Sequence, residues 1–192
     1  MTLRLFALTL SIACFASFAW AVRRYFQKPC GISWEMKLIM ASGNLFAIAQ
    51  FAAIMWLDST IDSLWLAGML CFVISFALFW WTVASSRATP LNIAFTSTNP
   101  ERLLNQGPYA RIRHPFYASY LIYWVGGLLV TRWWPMFVAV FVMGGLYLIA
   151  AAQEERDFIS GPMSDAYIAY KPRTGLFWPW VGGQDRVGRT TR

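Results

Sequence analysis

The chain has 192 residues, 58% of them hydrophobic and 18% aromatic, with a mean hydropathy of +0.46 and only 13% charged. A soluble domain of this size is about 25% charged, so an ordinary water-soluble globule is excluded. The net charge of +7 calls for no nucleic-acid partner, because membrane topology accounts for it.

The apolar residues fall into five blocks with almost no charge: Leu5–Val22, Met36–Leu57, Leu64–Ala84, Phe116–Thr131 and Trp133–Gln153. A helix needs about 20 apolar residues to cross the roughly 30 Å hydrocarbon layer. The first block, with Arg4 before it and Ala19-Trp20-Ala21 at its end, has the outline of a secretory signal peptide. Arg23 and Arg24 follow at once and four more blocks come later, so it is read as a retained helix. Asp58-Ser59-Thr60 and Asp62-Ser63 offer caps before the third block.

Residues 85–115 form the one long internal loop, and loops of this length are usually functional or disordered. Within it, Asn99–Leu104 (NPERLL) reads as a short helix with Asn99 as cap and Pro100 in the first position. Leu103 and Leu104 are expected at the membrane interface, and Gly107-Pro108 breaks the helix. The fourth block is short, and the fifth carries Pro135 in its first turn, where proline is tolerated. The two are expected as a tight hairpin, with Gly126-Gly127 and Gly144-Gly145 at one depth so that the helices approach closely. The last helix is expected to run on through Glu154–Ile159 to Gly161-Pro162. A further short helix, Ser164–Tyr170, is capped by Ser164 and ends before Pro172.

The expected fold is all-α and integral to the membrane: five transmembrane helices, the last two a tight hairpin, with cytoplasmic C-terminal short helices. Residues 1–192 read as a single membrane domain. Within it, 1–84 form a three-helix scaffold, 85–180 the cofactor and catalytic half, and 181–192 a flexible tail. With five spans, 14 of the 16 basic residues fall on one side and only Arg4 and Arg132 on the other. The positive-inside rule then puts the N-terminus outside and the C-terminus in the cytoplasm, with a bacterial inner membrane as the expected location. One His and three scattered Cys give no metal site, since zinc wants three or four clustered ligands.

The hairpin brings Arg113-His114-Pro115 against Glu154-Glu155 at the cytoplasmic membrane surface, with Tyr109, Tyr117, Tyr120, Tyr167 and Tyr170 as candidates to line the space. A lone His at a helix start is ordinarily an interfacial cap. Here an arginine, a proline and two acids accompany it, which favours a site. Such a site suits a ligand with charges and an aromatic base: arginine or histidine holds a carboxylate with charge-assisted bonds, and tyrosine faces attract a cation.

"GPYARIRHPFY" (Gly107–Tyr117), then Glu154-Glu155, "YIAY" (Tyr167–Tyr170) and "PRTG" (Pro172–Gly175), resembles the membrane methyltransferases that include isoprenylcysteine carboxyl methyltransferase and the phospholipid methyltransferases. The resemblance runs from Gly107 to Pro179. It departs at "RDFISGPMSDA" (Arg156–Ala166), where this chain has a Gly-Pro break. It implies an S-adenosyl-L-methionine-dependent enzyme that acts on a lipophilic acceptor, either a prenyl-cysteine-like carboxylate or a lipid headgroup. It implies Tyr109, Arg113, His114, Pro115, Tyr117, Glu154 and Glu155 at the cofactor. Arg173, Tyr167 and Tyr170 would then meet the acceptor, and Arg173 and Glu155 would take the catalytic roles. The implied partners are a lipophilic small molecule or lipid and the membrane lipids, with no nucleic acid and no metal. A different class stands beside it: a non-catalytic membrane binding or assembly protein that keeps the methyltransferase fold. A transporter is disfavoured, because the ionisable groups cluster at one face and do not mark a pathway.

Overall fold

The computed structural model describes residues 2–26, 31–57, 60–87, 91 and 103–179. Six α-helices carry them: α1 (Thr2–Trp20), α2 (Trp34–Trp56), α3 (Ser63–Ser86), α4 (Pro115–Thr131), α5 (Pro135–Ser160) and α6 (Ser164–Tyr170). A π-helical turn, Ala21–Tyr25, extends α1. Among the described residues the one β-bridge joins Ile112 to Gly175 in parallel. The expected helix at Asn99–Arg102, the caps Asp58 and Ser59, Cys30 and the tail 181–192 lie outside the described residues; Leu103 and Leu104 are not helical.

Extended α1, α2, α3 and α5 are each long and apolar enough to cross a bilayer. With 17 residues, α4 sits at the low end of the roughly 17–25 that span. The distribution of side chains is that of a molecule bathed in lipid: Phe141 is 75% exposed and Ile48 65%, whereas Gln50, Ser11, Ser75 and Thr82 are fully buried. Gln50 Nε2 donates to Ser11 Oγ at 2.8 Å, and Ser11 Oγ meets the Tyr123 hydroxyl at 3.2 Å. This chain of polar contacts ties α2, α1 and α4 where water is absent and an unpaired polar group is costly.

Chain chemistry sets the helix boundaries. The Ser33 hydroxyl accepts from Met36 N, and Asp62 Oδ1 accepts from Leu64 N and Trp65 N, capping α2 and α3. Pro115 and Pro135 open α4 and α5, where a missing N–H costs nothing. Ser164 is the first residue of α6 and not its cap; that position falls to Met163. Between α4 and α5 the chain passes through Arg132 in the left-handed region (φ 50°). The Arg132 guanidinium reaches Asp62 and, at 2.8 Å, the Thr60 hydroxyl. That clamp joins the α2–α3 and α4–α5 connections at one end of the bundle.

Close glycine packing falls on a different helix pair from the expected one. A Cβ on Gly68 would meet Gly126 O at 2.9 Å, and one on Gly126 would meet Phe72 Cδ1 at 2.9 Å. The glycines therefore bring α3 against α4, assisted by Ser75 Oγ donating to Ser119 O at 2.7 Å. Gly144 has ordinary room, with Leu121 Cδ1 at 3.5 Å, and Gly145 faces open space. Between α4 and α5 larger side chains make the contact: Trp124 Nε1 donates to the Tyr147 hydroxyl at 3.2 Å and Tyr117 to Glu154 at 2.5 Å.

Candidate active site

Two local features build the site. The Gly107–Ala110 3-10 turn feeds a short extended stretch, and the segment after α6 lies alongside it. Gly175 N donates to Arg111 O (3.0 Å), Arg113 N to Gly175 O (2.8 Å) and His114 N to Leu176 O (3.1 Å). Residues 174–177 thus form a strap across the entrance to α4.

Arg113 fastens that strap. Its Nε donates to Glu155 Oε1 at 2.7 Å, and its Nη1 donates to Lys171 O at 3.0 Å and also to Thr174 O. Lys171 Nζ reaches the other Glu155 oxygen at 2.6 Å. Both oxygens of Glu155 are therefore engaged by cations, and Glu155 does not line the cavity described next. Glu155, expected at the cofactor and in a catalytic role, has Arg113 and Lys171 as its partners and no place on the cavity wall. Its neighbour on the helix, Glu154, is the carboxylate that faces the space.

The cavity measures about 260 Å³. At its polar end lie Tyr109, Arg113, His114, Pro115, Tyr117, Glu154, Tyr167 and Tyr170, all expected from the sequence. Arg173 is exposed and stands outside the wall, because the 3-10 turn Lys171–Arg173 turns Lys171 towards Glu155 and leaves Arg173 outward. Arg173, expected at the acceptor, is not among the residues that line this cavity. Leu103 and Leu104 border the cavity as well.

His114 occupies the N-cap position of α4, yet its side chain does not cap the helix. The ring turns to the acids instead: Nδ1 is 3.3 Å from Glu154 Oε2, and Nε2 is 3.6 Å from Glu155 Oε1, too long for a hydrogen bond. Among the described residues Nε2 is buried without a hydrogen-bond partner, and so is the Tyr167 hydroxyl. Burial works against the charged imidazole, but the pull of Glu154 and then Glu155 prevails and raises its pKa above the ordinary 6.5. Burial, and then the negative charge of Glu154, holds the Tyr109 phenol well above its usual range. Burial pushes Tyr170 up to about 12. These phenols stay neutral donors; Tyr170 spends its proton on Tyr109 O at 2.6 Å. His114, Tyr117 and Tyr147 form a column of near-parallel rings, with centroids 5.7 and 5.4 Å apart.

The phospholipid methyltransferase family matches residues 64–162, just over half of the chain. The chain belongs to this family. Comparison with curated proteins finds no match. The span shared with the phospholipid methyltransferases covers α3, α4 and α5, and with them Arg113, His114, Glu154 and Glu155; it stops short of α6 and the strap. Sequence reasoning missed three participants. Lys171, the second cation on Glu155, was visible only as a basic residue after a short helix. Tyr147 sits mid-helix in an apolar run. Arg23 lines the cavity from α1, although its position had been explained by topology alone. Its signal was there in the apolar residues that precede it at helical spacing.

Proposed function

We propose that this phospholipid methyltransferase relative transfers a methyl group from S-adenosyl-L-methionine to a lipophilic acceptor at the cytoplasmic membrane face, as an enzyme of the bacterial inner membrane. In this reading α4 and α5 form a membrane hairpin, α4 joins the other four helices as a span, the fourth in chain order, and the N-terminus lies outside. The scaffold is 1–84, and the working half is 85–180. One observation carries the cofactor assignment: the buried His114 Nε2 has no partner although it lies beside two carboxylates. An imidazolium there has one donor left over, which suits the carboxylate of an amino-acid-bearing ligand. Tyr167, with its unspent hydroxyl, offers a second donor.

When bound, S-adenosyl-L-methionine supplies an electrophilic methyl group on a sulfonium. The protein's own part is positioning and desolvation, and alignment alone is worth about 7–11 kcal/mol. His114 and Tyr167 would hold one end of the cofactor, and Tyr109 and Tyr117 would flank it from the cavity wall. The ring faces of Tyr117 and Tyr147 favour a cation by roughly 0.5–2 kcal/mol. A carboxylate acceptor needs a cation and no base. An amine acceptor needs its proton removed, and Glu154 is the carboxylate on the wall able to take it. Glu155, held by Arg113 and Lys171, keeps the strap closed.

Calorimetry in detergent with S-adenosylhomocysteine tests the assignment. Wild type binds, and His114→Ala binds at least tenfold more weakly. Equal affinity for the two proteins removes His114 from the site.

A further inference from the structure

The cavity's other end bears a pattern that the cofactor does not explain. Phe15, Phe18, Ala19, Val22 and Arg23 line it from one face of extended α1, and Phe26 follows at its end. The opposite wall is α2, through Met36, Ile39, Met40, Gly43 and Asn44, and Met143 of α5 meets Gly43 beneath. From Phe15 to Arg23 is about 12 Å along a helix axis. Over that length α1 offers only apolar surface and then a single cation. Arg23 stands in the π-helical turn, which Tyr25 anchors: its hydroxyl meets Ser86 Oγ at 2.9 Å and Val83 O at 3.2 Å. Among the described residues Arg23 forms no ion pair with a carboxylate. Arg24, its neighbour, does not line the cavity.

We propose that Arg23 selects the acceptor by holding the phosphodiester of a lipid headgroup, with the lipid chain seated between α1 and α2. This rests on the methyl-transfer reading and adds the residue that recognises the acceptor. The wall matches an amphiphile in order as well as composition: apolar surface inward, one exposed cation at the head. A guanidinium presents a planar fork of donors that fits a phosphate with two parallel bonds. The cofactor's carboxylate has its own donors across the cavity at His114 and Tyr167, so the Arg23 end is left for a second molecule. With the phosphate at Arg23, a headgroup amine would share the cavity that Glu154 and the tyrosines also line.

Binding of two chain-matched amphiphiles to the full-length protein in maltoside detergent tests this: a lysophosphatidylethanolamine and the monoacylglycerol that lacks the phosphodiester. Wild type is expected to prefer the lysophospholipid. Arg23→Gln is expected to lose about tenfold in affinity for it, equivalent to about 1.4 kcal/mol, with monoacylglycerol and S-adenosylhomocysteine binding unchanged. Arg24→Gln is expected to behave as wild type, and Arg23→Lys to keep part of the preference. Retained monoacylglycerol binding shows that each variant is folded. Equal losses for both amphiphiles, or a loss of S-adenosylhomocysteine affinity in Arg23→Gln, overturns the assignment. Displacement of the lysophospholipid by inorganic phosphate at equal, Arg23-dependent affinity also overturns it, since the site then serves a free anion. Wild type that binds no S-adenosylhomocysteine but keeps the Arg23-dependent preference sinks the methyl-transfer reading and leaves this assignment standing.

Discussion

The two adjacent acids differ because of where their partners stand. Glu155 meets Arg113 and Lys171 at 2.7 and 2.6 Å, whereas Glu154 meets Tyr117 and His114 on the cavity wall. Removing the charge of Glu155 leaves the part-buried Arg113 without a counter-ion, a change that costs about 3 kcal/mol. Glu155→Gln is therefore expected to lower the detergent melting temperature and expose the strap to protease. Lys171→Met, at a half-exposed partner, is expected to cost at most about 1 kcal/mol. Glu154→Gln should leave stability nearly intact and weaken ligand binding, and thermal melts beside S-adenosylhomocysteine titrations separate the two acids. His114 adds a pH dependence. Its pKa is raised on folding, so its contribution is full below the ordinary 6.5 and is lost as pH rises through the folded value. Melting temperature should fall from pH 6.5 upward in wild type and respond less in His114→Gln; parallel curves remove the imidazolium from the account.

Helix existence was legible in the sequence, whereas helix pairing was not. Runs of apolar residues opened by Pro115 and Pro135, the second closed by Gly161, mark elements because proline and glycine act on the local backbone. The pairing of Gly68 with Gly126 depends on which helices become neighbours, and no spacing within α4 or α5 carries that information. The same holds for Gln50, an unremarkable polar residue in an apolar run until its contact with Ser11 shows it fully buried. In the site, His114 and Glu154 were readable because the motif and the return of α5 bring them to one end. The separate fate of Glu155 was not, since Lys171 reaches it through a strap built by tertiary contacts. At this scale Gly126→Ala is expected to cost about 1–3 kcal/mol by pressing on Phe72 and the Gly68 backbone. Gly145→Ala, facing open space, should be neutral or slightly stabilising in a helix. Equal melting temperatures for the two variants would show that α3 and α4 do not approach as described.

At the scale of the whole molecule, one cavity joins a polar end, at His114 and Glu154, to an apolar end between α1 and α2. Under the proposed methyl transfer, that continuity would let a water-soluble cofactor and a lipid reach one another without either leaving its own phase. The exposed apolar faces of the helices keep the molecule against lipid. The most direct measurement is transfer of label from S-adenosylmethionine, radiolabelled on its methyl group, to total membrane lipid and prenyl-cysteine analogues by purified protein. Label appearing in a lipid-soluble product with wild type, and reduced at least tenfold with His114→Ala, is the result expected. Binding of S-adenosylhomocysteine with no label entering any lipid-soluble product would contradict the account and leave a binding protein in its place.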